Sequence, residues 1–567
     1  MFPKLYVNPS APVIDDNAIE ERCQLESTYT YTGDSSWQRS SIALSSITGA
    51  DGFTYNLGNT IQNSGSHRLN TSFNMDSFYK YIGLGKNKKV KKTVTNAVAP
   101  KPGQKIVSPT PQVAKDSNIF LDGLIGIVTS IKNIQINYIE NRGTALPGFL
   151  PGVGFFGSSK PSLGFAFGGQ DEVRFEAAKR GWLTNYPDFN QSFTQVTSRT
   201  LDMTANIDLF PDFKIDLTAN RTYADNFSEQ YDVDANGNYT SRSPNNTGNF
   251  AISTVLIKTA FSASDEFGSA AFEEFRTNRL VVANRLAARY YGGNPYSIDA
   301  EGYPQGFGKN NQAVLLPAFM AAYSGQNSSD VSLGIFRNIP IPNWNIKYNG
   351  LMRYKFFKDK FKRFSIQHNY KASYTINSFR SNFDYNQNPN GTDAGGNLYN
   401  KTIVGNVNLV EQFSPLIRMD FETKSSFKIL AEMKRDRALS LSFDNNLLTE
   451  VKGVEYIIGT GYRFKNVIFS SKLSDDPSGI IKGDINLKVD FSYRNNKTIV
   501  RYLDYNNNQL GGGQNIWSAK LTADYSFSKN LTTIFFYDHS FSKAVISTSF
   551  PLTNIRAGFT LRYNFGN

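Results

Sequence analysis

Residues Ile485 to Tyr493 read INLKVDFSY, and their alternation decides the fold. Ile485, Leu487, Val489, Phe491 and Tyr493 are apolar, while Asn486, Lys488, Asp490 and Ser492 between them are polar. A period of two puts alternate side chains on opposite faces of a β-strand. The pattern recurs through Lys482 to Asn567, as Trp517-Ala519-Leu521-Ala523-Tyr525-Phe527 and as Leu531-Thr533-Phe535-Tyr537. It closes with Ile555-Ala557-Phe559-Leu561-Tyr563-Phe565. Each run is about ten residues, the length that crosses a bilayer when a strand is tilted. Opposing positions hold Lys520, Asp524, Arg556 and Arg562, so that face meets water. The pattern predicts an all-β protein, a large transmembrane antiparallel β-barrel with short helical insertions. Phe559, Leu561, Tyr563 and Phe565 form the aromatic C-terminal strand with which bacterial outer-membrane barrels commonly end.

A soluble β-sandwich shares this alternation, but aliphatic residues usually dominate its buried face. Here 44 Phe and 30 Tyr against 4 Trp bring the aromatic content to 14%, and many rings fall near strand ends, where interfacial girdles form. Short turns are expected at Asn495-Asn496 and Ser528-Lys529-Asn530, and a longer loop from Tyr505 to Asn515.

The 567 residues contain no run near the ~18 consecutive apolar residues of a spanning helix, which excludes a helical membrane protein. One cysteine, Cys23, excludes an internal disulfide and a cysteine-rich metal site. A net charge of +12 suits an anionic partner. The cations are spread along strands, however, as a hydrated barrel lumen requires, and nucleic acid is not an expected partner. Met1-Phe2-Pro3-Lys4-Leu5 lacks the basic start and apolar core of a secretory signal. An outer-membrane barrel needs one, so the expectation is the C-terminal part of a longer exported chain, forming a partial wall.

Along the chain, 1–24 reads as an opening loop or domain edge and 25–85 as barrel strands. Residues 86–118 form a polar, basic loop, with Lys86, Lys88, Lys89, Lys91 and Lys92 ahead of four prolines. Strands return over 119–261, with a hairpin around Phe210-Pro211-Asp212. Within them 146–157 reads LPGFLPGVGFFG, whose prolines and glycines suit neither a strand interior nor a solvated loop. Such backbone is tolerated at membrane depth only beside protein or a water-filled cavity. Leu146, Pro147, Gly148, Phe149, Pro151, Gly152, Phe155 and Phe156 are therefore the candidate gate or inner-wall segment, the alternative being an apolar turn buried by its neighbours. Over 262–330 the period changes: Phe267, Ala271 and Phe275 are four apart, and Ala313 to Tyr323 is alanine-rich. This predicts short helices in an insertion that caps or constricts the sheet. Residues 331–567 return to barrel strands.

No constellation for catalysis stands out. His67, His368 and His539 lie in separate strand-like segments, and no serine is singled out as their nucleophile. Asp232, Asp234, Asn236 and Gly237 open like a calcium loop, but its twelfth position is Ser243, and Asn236-Gly237 reads better as a turn. No enzyme activity, cofactor or metal is expected.

LPGFLPGVGFFG, AVLLPAFMAAYSG at 313–325, EYIIGTGYRFKNV at 455–467 and the ending NIRAGFTLRYNFGN, in this order, resemble the C-terminal part of the SprA (Sov) family. The resemblance runs from about Thr28 onward. In the Bacteroidetes that family is the outer-membrane translocon of type IX secretion, linked to gliding motility. It implies a very large single-chain barrel passing folded cargo proteins to the cell surface. The implied partners are a PorV-like shuttle barrel, a periplasmic plug protein, secreted cargo proteins and outer-membrane lipid. Family proteins are several times longer and carry a signal peptide. Other readings of the pattern are a TonB-dependent receptor or porin, and a surface adhesin or structural β-protein.

Overall fold

The computed structural model describes residues 5–7, 25–82, 129–153, 160–470, 480–526, 531–546 and 550–565. The basic loop, Phe155, Phe156, Cys23 and the turn at 528–530 lie outside them. The first strands are β1 (Leu5–Val7), β2 (Leu25–Gln38), the small hairpin β3 (Ile47–Thr48) and β4 (Thr54–Tyr55), and β5 (Asn59–Asn74). Next come β6 (Ile131–Phe149), β7 (Phe193–Phe210), β8 (Phe213–Val233), β9 (Tyr239–Ser253) and β10 (Asn343–Tyr348). Then follow β11 (Phe361–Ser381), β12 (Thr402–Val404), β13 (Asn406–Thr423), β14 (Phe427–Ser442) and β15 (Leu447–Ser470). The last are β16 (Ile480–Tyr502), β17 (Asn508–Ser526), β18 (Leu531–Ala544) and β19 (Leu552–Tyr563). All but β3 and β4 belong to one sheet of 17 strands, an all-β, barrel-like wall paired antiparallel throughout.

Neighbours in sequence are neighbours in the sheet, from β5 through β6 and β7 to β8 and again from β13 to β19. Between them β9 and β10 share a single strand position. β9 pairs with the upper parts of β8 and β11, and β10 with their lower parts. The Ile341 N–H donates to the Ser253 carbonyl at 3.1 Å, so residues 254–342 leave one strand in mid-course and return to the same place. This excursion begins earlier and ends later than the change of period at 262 and 330 suggests. Asn495 and Asn496, expected in a turn, lie inside β16, paired with Val454 and Gly453. Two flanking strands satisfy their backbone groups there, and this outweighs the local turn preference of asparagine.

Directly paired residues share a face, so the register gives the sheet two faces. One carries Tyr456, Ile458, Phe491, Tyr493, Trp517, Leu521, Phe535, Ile555 and Phe559. The other carries an ion-pair network running from Arg418 through Glu432, Lys434, Glu455 and Arg494 to Asp436. The sheet curls toward this polar face, for Ser64 on β5 and Asp444 beyond β14 line one cavity of about 850 Å³.

On the apolar face the lower halves of the strands are bare. Ile458 is 64% exposed, Phe491 57% and Phe559 71%. Aromatic rows bound this belt. The upper rim has Tyr493 and Trp517 with ring centres 5.3 Å apart and Trp517 and Phe541 5.6 Å apart. Along the lower rim Phe364 stacks on Phe421 at 5.4 Å, and Tyr462 meets Phe464 edge-on at 4.8 Å. From Tyr456 to Phe464 a strand rises about 26 Å, or roughly 20 Å in height at the ~40° tilt of barrel strands.

The upper halves of the same face are covered. Residues 160–192, with helices α1 (Leu163–Ala166) and α2 (Arg174–Lys179), lie over β5 to β9 and bury Ile61, Leu146, Phe193 and Tyr231. The 254–342 excursion contains α3 (Ile257–Ala260), α4 (Ala270–Tyr291) and α5 (Gln312–Ser324). Ser269 caps α4 by accepting from the Phe272 N–H, and Asn311 caps α5 by accepting from the Ala313 N–H. Gly292 and Gly325 end both helices in the left-handed region. α5 is buried on all sides, as its unbroken apolar sequence requires, between α4 and the wall residues Tyr374, Leu409 and Leu441. Neither helix is short, and the excursion packs on the apolar face of the wall rather than across its polar face.

Candidate functional site

The two covers are held by charges standing where the alternation calls for apolar residues. On β13, Glu411 sits between Leu409 and Phe413 on the apolar face. Its carboxylate accepts from Arg437 Nη2 on β14 at 3.0 Å and from the Tyr370 hydroxyl at 2.7 Å. Arg437 Nη1 and Nη2 then donate to the carbonyl and Oγ1 of Thr259 in α3, both at 2.9 Å. Tyr370 closes the set by accepting from the Leu256 N–H at 2.7 Å.

Two strands further on the arrangement repeats. Arg501 on β16, fully buried, donates from Nη2 to Glu450 Oε2 on β15 at 3.3 Å, to Ser264 Oγ at 2.8 Å and to the Asp265 carbonyl at 2.9 Å. Ser264 Oγ also bonds Glu450. The Asp265 carboxylate accepts from the Phe267 and Gly268 N–H groups, which hold it below the usual carboxylate range. The first cover has the same device: Arg174 at the start of α2 pairs with the buried Glu229 of β8, which also accepts from the Tyr239 hydroxyl at 2.6 Å. Buried ion pairs contribute little net stability against apolar replacements, but removing one partner strands a charge. They therefore set where the covers sit more than how stable the wall is.

The candidate segment from Leu146 begins as the end of β6 and lies beneath the first cover. Leu146 and Phe149 are buried at the end of β6, the Pro147 carbonyl accepts from the Tyr231 hydroxyl at 2.6 Å, and the Pro151 carbonyl accepts from Trp37 Nε1 at 3.3 Å. Gly152 has open space around it. The part of the segment through Gly152 thus packs over the apolar face and not along the polar inner face. Gly148 has φ +74°, and a Cβ there would sit 2.6 Å from the Tyr231 hydroxyl and 3.0 Å from the Phe189 ring. Gly148→Ala is expected to destabilise this cover by about 1–3 kcal/mol, from the left-handed backbone and the crowding together. Faster amide exchange over 160–192, with the belt strands unchanged, checks it.

Phe559, Leu561 and Tyr563 stand exposed on the apolar face of β19, and Phe565 packs edge-on against Tyr563 at 4.8 Å. The histidines are not brought together: His67 bonds the Tyr29 hydroxyl, His368 the Leu416 carbonyl and His539 the Tyr537 hydroxyl. Asp234 accepts from the Asn236 and Asn238 N–H groups, closing the Asn236-Gly237 turn. Among the described residues no three His, Cys, Asp or Glu side chains converge at metal-ligand spacing. The clamps escaped sequence reading because a lone charge in an apolar phase looks like a break in the pattern. The recurrence at Glu411, Arg437, Glu450 and Arg501 was the available signal.

The class defined so far is a barrel-like all-β wall with a bare apolar belt on one face and a charged concave face on the other. No protein-family model matches the chain, and no curated protein matches it. Among solved structures it is similar to the ferric-catecholate import receptor Fiu of E. coli K12, at 8% identity and TM-score 0.26 over 96% of this chain and 63% of that one. It is also similar to the copper transporter OprC, at 7% identity and TM-score 0.25 over 91% of this chain and 57% of that one. The chain thus spans less than two thirds of the length of either structure, and superpositions this loose carry no argument about substrate or mechanism.

Proposed function

We propose that the chain forms part of the wall of an outer-membrane protein-conducting channel, the translocon of type IX secretion, passing folded cargo to the cell surface. The observation that carries the membrane reading is the bare apolar belt between two aromatic rims, backed by a charged concave face. In water a contiguous apolar belt of this kind would be a liability; against lipid tails it is the stable arrangement, with the polar face lining an aqueous path. The protein-conducting reading rests on the resemblance of the four motifs to the SprA family, and the sheet's width supports it. The 17 strands fill 15 positions side by side, because β9 and β10, and β12 and β13, each follow one another along the same neighbour. A barrel of about eight strands already fills its interior with side chains, so a path for folded cargo needs many more. The mechanism is passive and makes or breaks no bonds. The charged face offers a hydrated route, and a PorV-like barrel and a periplasmic plug protein act as the exit and entry partners.

Photo-crosslinkers at Phe559 and at Ser518, on opposite faces, test both levels in outer-membrane preparations. The expected result is lipid adducts from position 559 and secreted-protein adducts from position 518. Lipid adducts at 559 with no cargo at 518 leave a membrane barrel and overturn the secretion reading. Absence of lipid adducts at 559 overturns the membrane reading itself.

A further inference from the structure

Above the belt of β14 to β18, on the same face, cations stand in two adjacent rows. The row next to the Tyr456–Tyr493–Trp517–Phe541 rim holds Arg435, Val454, Asn495, Asn515 and Lys543. The row above it holds Arg437, Lys452 and Lys497. Arg437 is committed to Glu411. Arg435, Lys452, Lys497 and Lys543 make no ion pair among the described residues. The carboxylates within reach are already engaged: Glu411 by Arg437, Glu450 by Arg501, and Asp265 by backbone N–H groups. Lys452 lies within electrostatic reach of both Lys497 and Arg435. Like charges held together in this way raise the local potential and draw an anion.

Directly beneath the cations an apolar groove of about 410 Å³ opens along the belt, lined by Tyr456, Ile458, Phe491, Tyr493, Trp517 and Phe541. Its walls are almost wholly hydrocarbon and ring, and it runs into the cationic rows at the aromatic rim. An occupant that fits both parts has an anionic head and an apolar tail. Free phosphate or nucleotide would satisfy the cations and leave the groove unfilled.

We propose that this face binds a lipid with a net anionic phosphate headgroup, its acyl chain in the groove and its phosphate on Arg435, Lys452, Lys497 and Lys543. The site rests on the membrane reading above, because it places the phosphate at the level of the interface, just beyond the aromatic rim. It gives the wall a preferred lipid contact beside the second cover, where Arg435 also lies 5.0 Å from the Phe261 ring of the excursion.

The test uses the full chain in detergent, mixed with equal amounts of phosphatidic acid and phosphatidylcholine bearing the same chains, and native mass spectrometry as the readout. The expected result is selective retention of phosphatidic acid that millimolar inorganic phosphate does not displace. Lys452→Gln/Lys497→Gln/Lys543→Gln weakens that retention roughly tenfold or more, while Lys424→Gln, in the turn after β13, leaves it unchanged. Should the triple variant not fold, the exposed Lys543→Glu alone must lower retention. Equal retention of both lipids, an unchanged variant, or displacement by inorganic phosphate overturns the proposal. A chain that stays soluble and monodisperse without detergent overturns the membrane reading instead.

Discussion

Arg501→Met releases the helical excursion from the wall while leaving the wall intact. The substitution keeps the unbranched apolar stem of the side chain but removes three donated hydrogen bonds and leaves Glu450 as an unpaired, buried carboxylate. Breaking one side of a buried pair costs about 3–5 kcal/mol. That cost falls on the contact between the excursion and the sheet, because Ser264 and the Asp265 carbonyl are the groups that lose their donor. Limited proteolysis should then cut readily between 292 and 310, and amide exchange should accelerate over 254–342, with protection of β15 to β17 retained below the rim. The double variant Glu450→Leu/Arg501→Met removes both charges and should recover most of the loss, since apolar replacement of a whole pair is often neutral. Unchanged proteolysis in the single variant would show that the ion pair does not hold the excursion. Recovery absent in the double variant would point to packing against Phe272, whose ring lies 5.7 Å from the guanidinium, as the stronger link.

The second large effect separates lipid from water as the solvent of the belt. Ile458 is 64% exposed, and in a soluble protein Ile458→Arg would change stability by no more than about 0.5 kcal/mol. Two positions inside the upper rim of a lipid-facing wall the same change costs about 1–3 kcal/mol, between the interfacial and midplane values. Ser518 lies at the same level on the opposite face, its hydroxyl 2.6 Å from that of Ser492. Ser518→Arg should be nearly neutral there, because that face meets water in either solvent. Urea titrations of the chain folded into phosphatidylcholine vesicles, read by heat-modifiable gel mobility, give both values. Equal and small effects at the two positions would mean that the belt does not face hydrocarbon.

Much of the wall can be read from local pattern. INLKVDFSY assigns Phe491 to one face and Asp490 to the other with no knowledge of a partner strand, because a two-residue period is a property of the strand itself. The same reading failed at Asn495-Asn496, where two neighbouring strands impose extension on a sequence that would turn if left alone. At LPGFLPG the sequence left open an inner-wall segment or an apolar turn buried by its neighbours, and Leu146 and Phe149 are buried. Two prolines and two glycines look like irregular backbone, yet Gly148 with its left-handed φ lets the end of β6 run under the first cover.

By itself, then, the sequence determined that the chain makes long two-faced strands with rings near their ends, since spacing along one strand is enough to sort apolar from charged side chains. Which part of the apolar face stays bare depends on contacts between distant segments. Glu411, Arg437, Glu450 and Arg501 acquire meaning from Thr259, Ser264 and Asp265, and Ser264 is 237 positions from Arg501. A buried charge is stable only where its partners have been brought to it, and no period along a single strand can say which distant loop will supply them.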